Sequence, residues 1–477
     1  MNPTRRRVLA ALTALPASGF IRCAPPEQPN SPTGTDSPTG TDTGTGPTVT
    51  PAPDRAPEPP AWDPPGALDE AAFPFSVQSG DATPDGIVLS VRTLEPEIAV
   101  IVVRGVDDGW EEVHAESGIV PVDRMVRLEL GGLVEDSVYR FVFTAADGAR
   151  RSRPGRFRTA LGSVRRKIVL GATSCLGDVN PTFGGLSLAA ADDLDLVLLL
   201  GDTVYADGAS TLDDYRAVYD DVLSVESVRA MTASTSVVAT WDDHEVANNW
   251  IDGDPVAFGQ DSVTPEQIAA GTAAFREAIP QRVADGAPAW RSVLWGDVLE
   301  LLVLDSRGER DWDTKIVSDA QLSWAIDRLR TSTATFKLVL VSVHITDHAA
   351  LLATISMTDR WQGYPAQREA LLAAAAEVPG VLFVTGDMHY GAIQRVSPEG
   401  AVGDGLWEIA AGPAGSELFV IDEIAELAGG YPPQYAQVVE DWTWARMVLD
   451  PGTRTIAVQL IDDAGAIAAE QTLSFPA

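Results

Sequence analysis

Six short apolar runs recur from residue 165 onward, at 168–170, 196–200, 237–239, 299–304, 338–343 and 381–384. Runs of this length, rich in Leu, Val and Ile, read as strands buried on both faces of a sheet. Stretches of helical character lie between several of them, for example 319–329 and 366–376. The alternation predicts an α/β domain. In open α/β sheets, ligands collect at the carboxyl ends of the strands. Ser174 and Cys175 follow the first run, Asp202 and Tyr205 the second, and Asp242, Asp243, His244, Glu245, Asn248 and Asn249 the third. Asp305 and Arg307 follow the fourth, His344, Asp347 and His348 the fifth, and Asp387 and His389 the sixth. Any one of these segments has a bland explanation: Asp202 could cap a helix and Tyr205 could simply pack. Six in succession, holding four of the five histidines, point to one shared site.

That set of side chains suits a two-metal hydrolase. Two cations roughly 3.5–4 Å apart clamp a phosphate, lower the pKa of a bound water and offset charge on the leaving oxygen. Asp202 could bridge them. His389 and Tyr205 could complete one metal, with Asp243, Asn248 and Asp387 around the other. His244 could be the acid or the transition-state donor, with Asp242 as a second catalytic candidate. Arg307 is a candidate anion contact. His344 could be an added metal ligand or a phosphate contact, whereas His348 reads as supporting or surface.

The motifs 201–205 (GDTVY), 241–250 (WDDHEVANNW), 304–307 (LDSR) and 386–389 (GDMH) together resemble the PhoD-like branch of the calcineurin-like metallophosphoesterases. So do 359–364 (DRWQGY), 79–85 (SGDATPD) and 155–159 (GRFRT), and the likeness spans roughly 70–475. The resemblance implies two mixed β-sheets packed face to face and flanked by helices. It implies an exported phosphomonoesterase or phosphodiesterase, active at alkaline pH with a metal-bound hydroxide as nucleophile. It also implies iron(III) with calcium. Cys175, Asp202, Tyr205 and His389 would hold iron, and Asp202, Asn248 or Asn249, and Asp387 would hold calcium. Thiolate and tyrosinate suit a trivalent cation and oxygen ligands suit calcium, with zinc or manganese as alternatives. Other branches of the superfamily carry Asp-x-His where this chain has Ser174-Cys175. The histidines at 344 and 348 depart from the PhoD-like pattern.

The N-terminal part is of another kind. Residues 1–23 read as an export signal of twin-arginine type, with Arg5-Arg6-Arg7 ahead of a short apolar segment. Cys23 could alternatively be lipidated, so the expected location is periplasmic or extracellular, with or without a lipid anchor. Residues 24–68 are a Pro/Thr/Gly/Asp-rich spacer with no capacity for a core. Residues 69–161 read as a small immunoglobulin-like β-sandwich in which Leu133 and Tyr139 have the spacing of a tyrosine corner. His114 lies there, apart from the other histidines. The catalytic domain is expected over 165–477. A net charge of −34 argues against nucleic acid as a partner, and small phosphate esters or diesters are the expected substrates. The alternatives are a phosphodiesterase or phospholipase D-like enzyme on cell-envelope polymers or lipids, and a surface-tethered protein that binds phosphate without turning it over.

Overall fold

The computed structural model describes residues 55, 58–252, 260–283, 286–348 and 357–476. The export signal, Cys23 and most of the spacer lie outside the described residues. All six apolar runs are strands: Ile168–Thr173, Leu196–Leu200, Ser236–Thr240, Leu299–Val303, Phe336–Val341 and Val381–Thr385. They form two parallel triplets. The first three lie side by side within a nine-stranded sheet and the last three within a seven-stranded one. Antiparallel pairs extend both sheets, so both are mixed.

Side-chain alternation decides what each face meets. Leu196, Leu198 and Leu200 share a core with Leu338, Leu340, Leu382 and Val384, which packs the two sheets face to face. Val197 and Leu199 point the other way, onto Leu186 of helix Gly184–Ala191 and Tyr215 and Tyr219 of helix Leu212–Ser224. On the second sheet, Val339, Val341 and Phe383 pack on Ala325, Leu329, Leu371 and Leu372, from helices Asp319–Thr331 and Pro365–Ala376. The expected sandwich of two mixed sheets flanked by helices is therefore the fold found. Strands covered on both sides carry unbroken apolar runs for that reason.

The N-terminal strands divide between two sheets. Ile98–Val106, Gly109–Ile119, Val138–Ala145 and Gly155–Arg158 belong to a separate sheet. There the Tyr139 hydroxyl accepts the Val134 N–H at 2.7 Å, and its ring stacks on Phe157. Val77–Thr83, Gly86–Arg92 and Met125–Gly131 instead extend the nine-stranded sheet, through a parallel pairing of Gly80 with Val237. A Cβ at position 80 would lie 1.9 Å from the Pro280 carbonyl oxygen, so the approach requires glycine. Asp81 beside it is buried and accepts two N–H groups from Arg291 at 2.8 Å and the Arg282 backbone N–H at 2.7 Å. Among the described residues no helix is long and apolar enough to cross a membrane.

Candidate metal centre

The carboxyl ends of both triplets meet at one place. At several strand exits the backbone turns through the left-handed region. Gly201 has φ +100°, and a Cβ there would fall 2.6 Å from that of Asp242. Cys175, Asp202, Asn249, Asp387 and His389 all have left-handed backbones. Asp and Asn tolerate this region. For Cys175 and His389 it costs roughly 1–3 kcal/mol each, and such strain persists where surrounding structure over-determines it, commonly at active sites.

Three overlapping groups of ligand atoms result. Cys175, Asp202 and His389 form one, Asp202, Asp243 and His244 the next, and Asp242, Asp243 and Asp387 the third, each with its atoms within 4.8 Å of one another. Tyr205 joins the first, its phenol oxygen 3.4 Å from Asp202 Oδ2 and 3.1 Å from His389 Nε2. Asp202 is shared, and its Oδ1 is buried without a hydrogen-bond partner among the described residues. A buried, unsatisfied carboxylate oxygen in the middle of a ligand cluster is an acceptor waiting for a cation. The donors divide as a metal pair would use them: sulfur, phenol, imidazole and carboxylate on one side, carboxylates on the other. These residues fit a two-metal centre.

The electrostatics agree. Burial pushes the Asp202 carboxyl, the Cys175 thiol and the Tyr205 phenol well up, and neighbouring negative charges push further. Without cations the cluster is over-supplied with buried acid. Burial lifts Asp242 to about 6 and Glu245 to about 7. Both folded values lie above the unfolded ones, so the folded state holds the extra protons. Their contribution to the stability of the cation-free protein should then fall as pH climbs from about 4, the unfolded carboxyl value, to about 7. The urea midpoint of chelator-treated wild type, relative to that of chelator-treated Glu245→Gln, should be lower at pH 8 than at pH 5, and an unchanged or rising difference contradicts this.

Several partners hold the ligands in place. Glu245 is fully buried and accepts the backbone N–H groups of Asp202 at 3.0 Å, Thr203 at 2.7 Å and Asp242 at 2.8 Å. It ties the second strand's exit to the third's. Glu245→Ala leaves three buried donors unpaired and a cavity, and should destabilise the fold by about 3–5 kcal/mol, measured by chemical denaturation. Asp207 bonds His244 Nδ1 at 2.8 Å and accepts the Asn248 N–H at 2.7 Å. Ser416 Oγ lies 2.5 Å from the Tyr205 oxygen and donates to the Cys175 carbonyl at 2.9 Å. Ser342 donates to Asp242 at 2.7 Å.

Arg307, the candidate anion contact, sits among carboxylates. Its buried guanidinium donates to both Asp242 oxygens, to Asp243 at 3.3 Å and to Asp359 at 2.6 Å, and lies 4.0 Å from Asp387. Of the two asparagines, Asn249 turns its amide toward Arg307 and Asp359, and its N–H donates to Asp243 at 2.6 Å. Asp305 is taken up by Trp241 Nε1 and the Gly308 N–H.

His344 and His348 are drawn elsewhere. Glu408 accepts the Ile345 and Thr346 N–H groups and so turns the loop inward. The His344 ring is fully buried, stacks on His348 at 5.3 Å and meets Tyr390 edge-on at 5.5 Å. Both its nitrogens lack hydrogen-bond partners among the described residues, and burial pushes it down to about 4. His348 Nδ1 pairs with the Tyr435 hydroxyl at 2.6 Å. His114 lies beside Glu116 on the N-terminal sheet. Sequence reasoning assigned no role to Asp207, Ser342, Asp359 or Ser416. Asp207 had a local signal, a carboxylate five residues after Asp202 in the same loop, Ser342 lies inside the fifth apolar run, and Asp359 opens the 359–364 motif.

The profile of the PhoD-like phosphatases matches residues 170–446, more than half of the chain, and the protein belongs to that family. Alkaline phosphatase D of Bacillus subtilis (strain 168) is 25% identical over 380 residues, which cover 67% of this chain. The match spans 65% of that curated relative's length. A solved structure of PhoD has the same fold, with a TM-score of 0.71 at 21% identity, covering 87% of this chain and 90% of that one.

Proposed function

We propose that the protein is an exported, metal-dependent phosphoric ester hydrolase. The observation that carries this is Asp202, shared between two ligand groups with one buried oxygen left unpartnered. Cys175, Asp202, Tyr205 and His389 would hold one cation, and Asp202, Asp243, Asn248 or Asn249, and Asp387 the other. When bound, such a pair clamps phosphate oxygens, makes water acidic enough to attack and offsets charge on the leaving oxygen. His244 supplies the proton. Asp207 on Nδ1 leaves Nε2 facing the centre, 4.0 Å from Asp243. Burial works against the imidazolium, but the Asp243, Asp202 and Asp207 carboxylates outweigh it and hold His244 well above its ordinary range. That direction favours the protonated form, as an acid for the leaving alkoxide requires. Arg307 keeps Asp242, Asp243 and Asp359 together around one positive charge and orients a bound phosphate from that side. The alkaline phosphatase D relative supports a phosphate ester as substrate. Hydrolysis of p-nitrophenyl phosphate and bis-p-nitrophenyl phosphate by the purified protein tests the reading and separates monoester from diester preference. Hydrolysis of neither, with metals supplied, contradicts it.

The cation pair in this reading is iron(III) with calcium. A thiolate and a phenolate together neutralise a trivalent ion, and the thiolate favours it over calcium. A tyrosinate on iron(III) absorbs visible light, so the purified protein should be coloured. Tyr205→Phe keeps the ring and should abolish or shift the band. Cys175→Ser should lower iron content more than calcium content. A colourless zinc or manganese protein, indifferent to both changes, overturns the iron assignment and leaves the hydrolase standing. Export rests on residues 1–23, and fractionation of cells carrying Arg5→Lys/Arg6→Lys/Arg7→Lys should find the protein retained inside.

A further inference from the structure

The chain has 34 Lys and Arg against 68 Asp and Glu, yet at one place the balance reverses. A cavity of about 490 Å³ is lined by Arg165, Arg330, Lys337 and Arg454, with Glu377 as the carboxylate among its lining residues. It lies where strand Phe336–Val341 begins, whereas the metal centre follows the other end of that strand, ~20 Å away at ~3.3 Å per residue. Arg330 is paired with Glu377 at 3.2 Å and Arg165 with Asp297 at 2.6 Å. Lys337 and Arg454 have no ion pair among the described residues. Lys337 is 4% exposed, and its ammonium donates to the Pro379 carbonyl at 3.2 Å. The Arg454 Nε is buried with no hydrogen-bond partner among the described residues. Burial, and then the Arg454 charge, hold the lysine below its ordinary range, against the weaker opposing pull of Glu300 on the neighbouring strand. Helices Asp319–Thr331 and Pro365–Ala376 both end beside the cavity, and their C-terminal carbonyls attract cations. That accounts for Arg330. It does not account for Arg454, which comes from the turn between strands Thr443–Asp450 and Thr455–Asp462 of the other sheet. Two adjacent cations, one almost fully buried and neither ion-paired, cost free energy unless an anion completes them.

We propose that this cavity is a second anion site, for a phosphate-bearing ligand, separate from the metal centre. Lys337 and Arg454 take the phosphate oxygens, the guanidinium as a fork and the ammonium as a point charge. Arg165 and Arg330, already half-neutralised, set the surrounding field. The volume falls in the small-molecule range of about 300–1,000 Å³, so there is room for an organic group attached to the phosphate.

Equilibrium binding of inorganic phosphate to the full, metal-loaded chain tests the site. Wild type should bind one more equivalent than Lys337→Met/Arg454→Ala, with turnover of p-nitrophenyl phosphate equal in the two proteins. The difference of one remains even if the metal centre itself binds no phosphate, which keeps the two readings separable. Arg454→Ala alone, on a partly exposed turn, should weaken the extra site by about ten-fold or more, and serves if the double variant fails to fold. Methylphosphonate in place of inorganic phosphate distinguishes the source of the anion. Equal binding identifies an organic phosphate, and binding of inorganic phosphate alone identifies the free ion. Equal stoichiometry and affinity in wild type and Arg454→Ala overturn the proposal.

Discussion

Asp202→Asn should abolish turnover and strip metal from both sides of the centre at once. The carboxylate belongs to the Cys175/His389 group and to the Asp243/His244 group, and among the described residues no other belongs to both. Partners that merely orient a metal ligand already change affinity or activity about 10–100-fold when removed, so loss of the shared ligand should exceed that. Asn has nearly the same shape, and Glu245 still grips the residue-202 backbone N–H, so the fold should survive. Elemental analysis of the variant should show both metals reduced. Loss of one metal with the other at full occupancy would mean that Asp202 serves one side only.

His244→Ala should lower turnover by about 10²–10⁴-fold, the usual worth of a positioned general acid, and leave metal content unchanged. The geometry allows a competing role, because His244 also groups with Asp202 and Asp243. Its Nδ1 is taken by Asp207, so only Nε2 could bind a cation. Asp207→Asn separates the two roles. A proton donor held by Asp207 loses a neighbouring negative charge in that variant, so the alkaline pH at which activity falls should move down while metal content stays whole. If His244→Ala loses metal in step with activity, the histidine is a ligand and the acid must be sought elsewhere.

Much of the centre was legible because the relevant signals are local. A strand buried on both faces must be apolar throughout, and the residues just past its end are then conspicuous. Cys175, Asp202, Tyr205, Asp243, Asp387 and His389 were found in that way, and the structure brings them together. His344 has the same signal, two residues beyond Val343, but its loop answers to Glu408, a buried acid on the neighbouring strand Trp407–Ala410. The convergence of Asp242 and Asp359 on Arg307 has no signal in the sequence near Arg307. Ser416 comes from the loop after strand Trp407–Ala410, beyond Gly412 and Pro413, and reaches Tyr205 across 211 residues. The join between the N-terminal strands and the nine-stranded sheet rests on a single pairing, Gly80 with Val237, that no periodicity encodes. Pairing between distant segments is what a one-dimensional pattern leaves open.

The central claim is that two cations in this one cluster make the protein a phosphate-ester hydrolase. Exhaustive chelation, followed by stepwise return of iron and calcium with p-nitrophenyl phosphate turnover read at each step, tests it most directly. Chelated protein should be inactive, and activity should return in proportion to occupancy and saturate at about two equivalents per chain, as a two-metal site requires. Full activity after complete removal of metal, or saturation at one equivalent, would contradict the account.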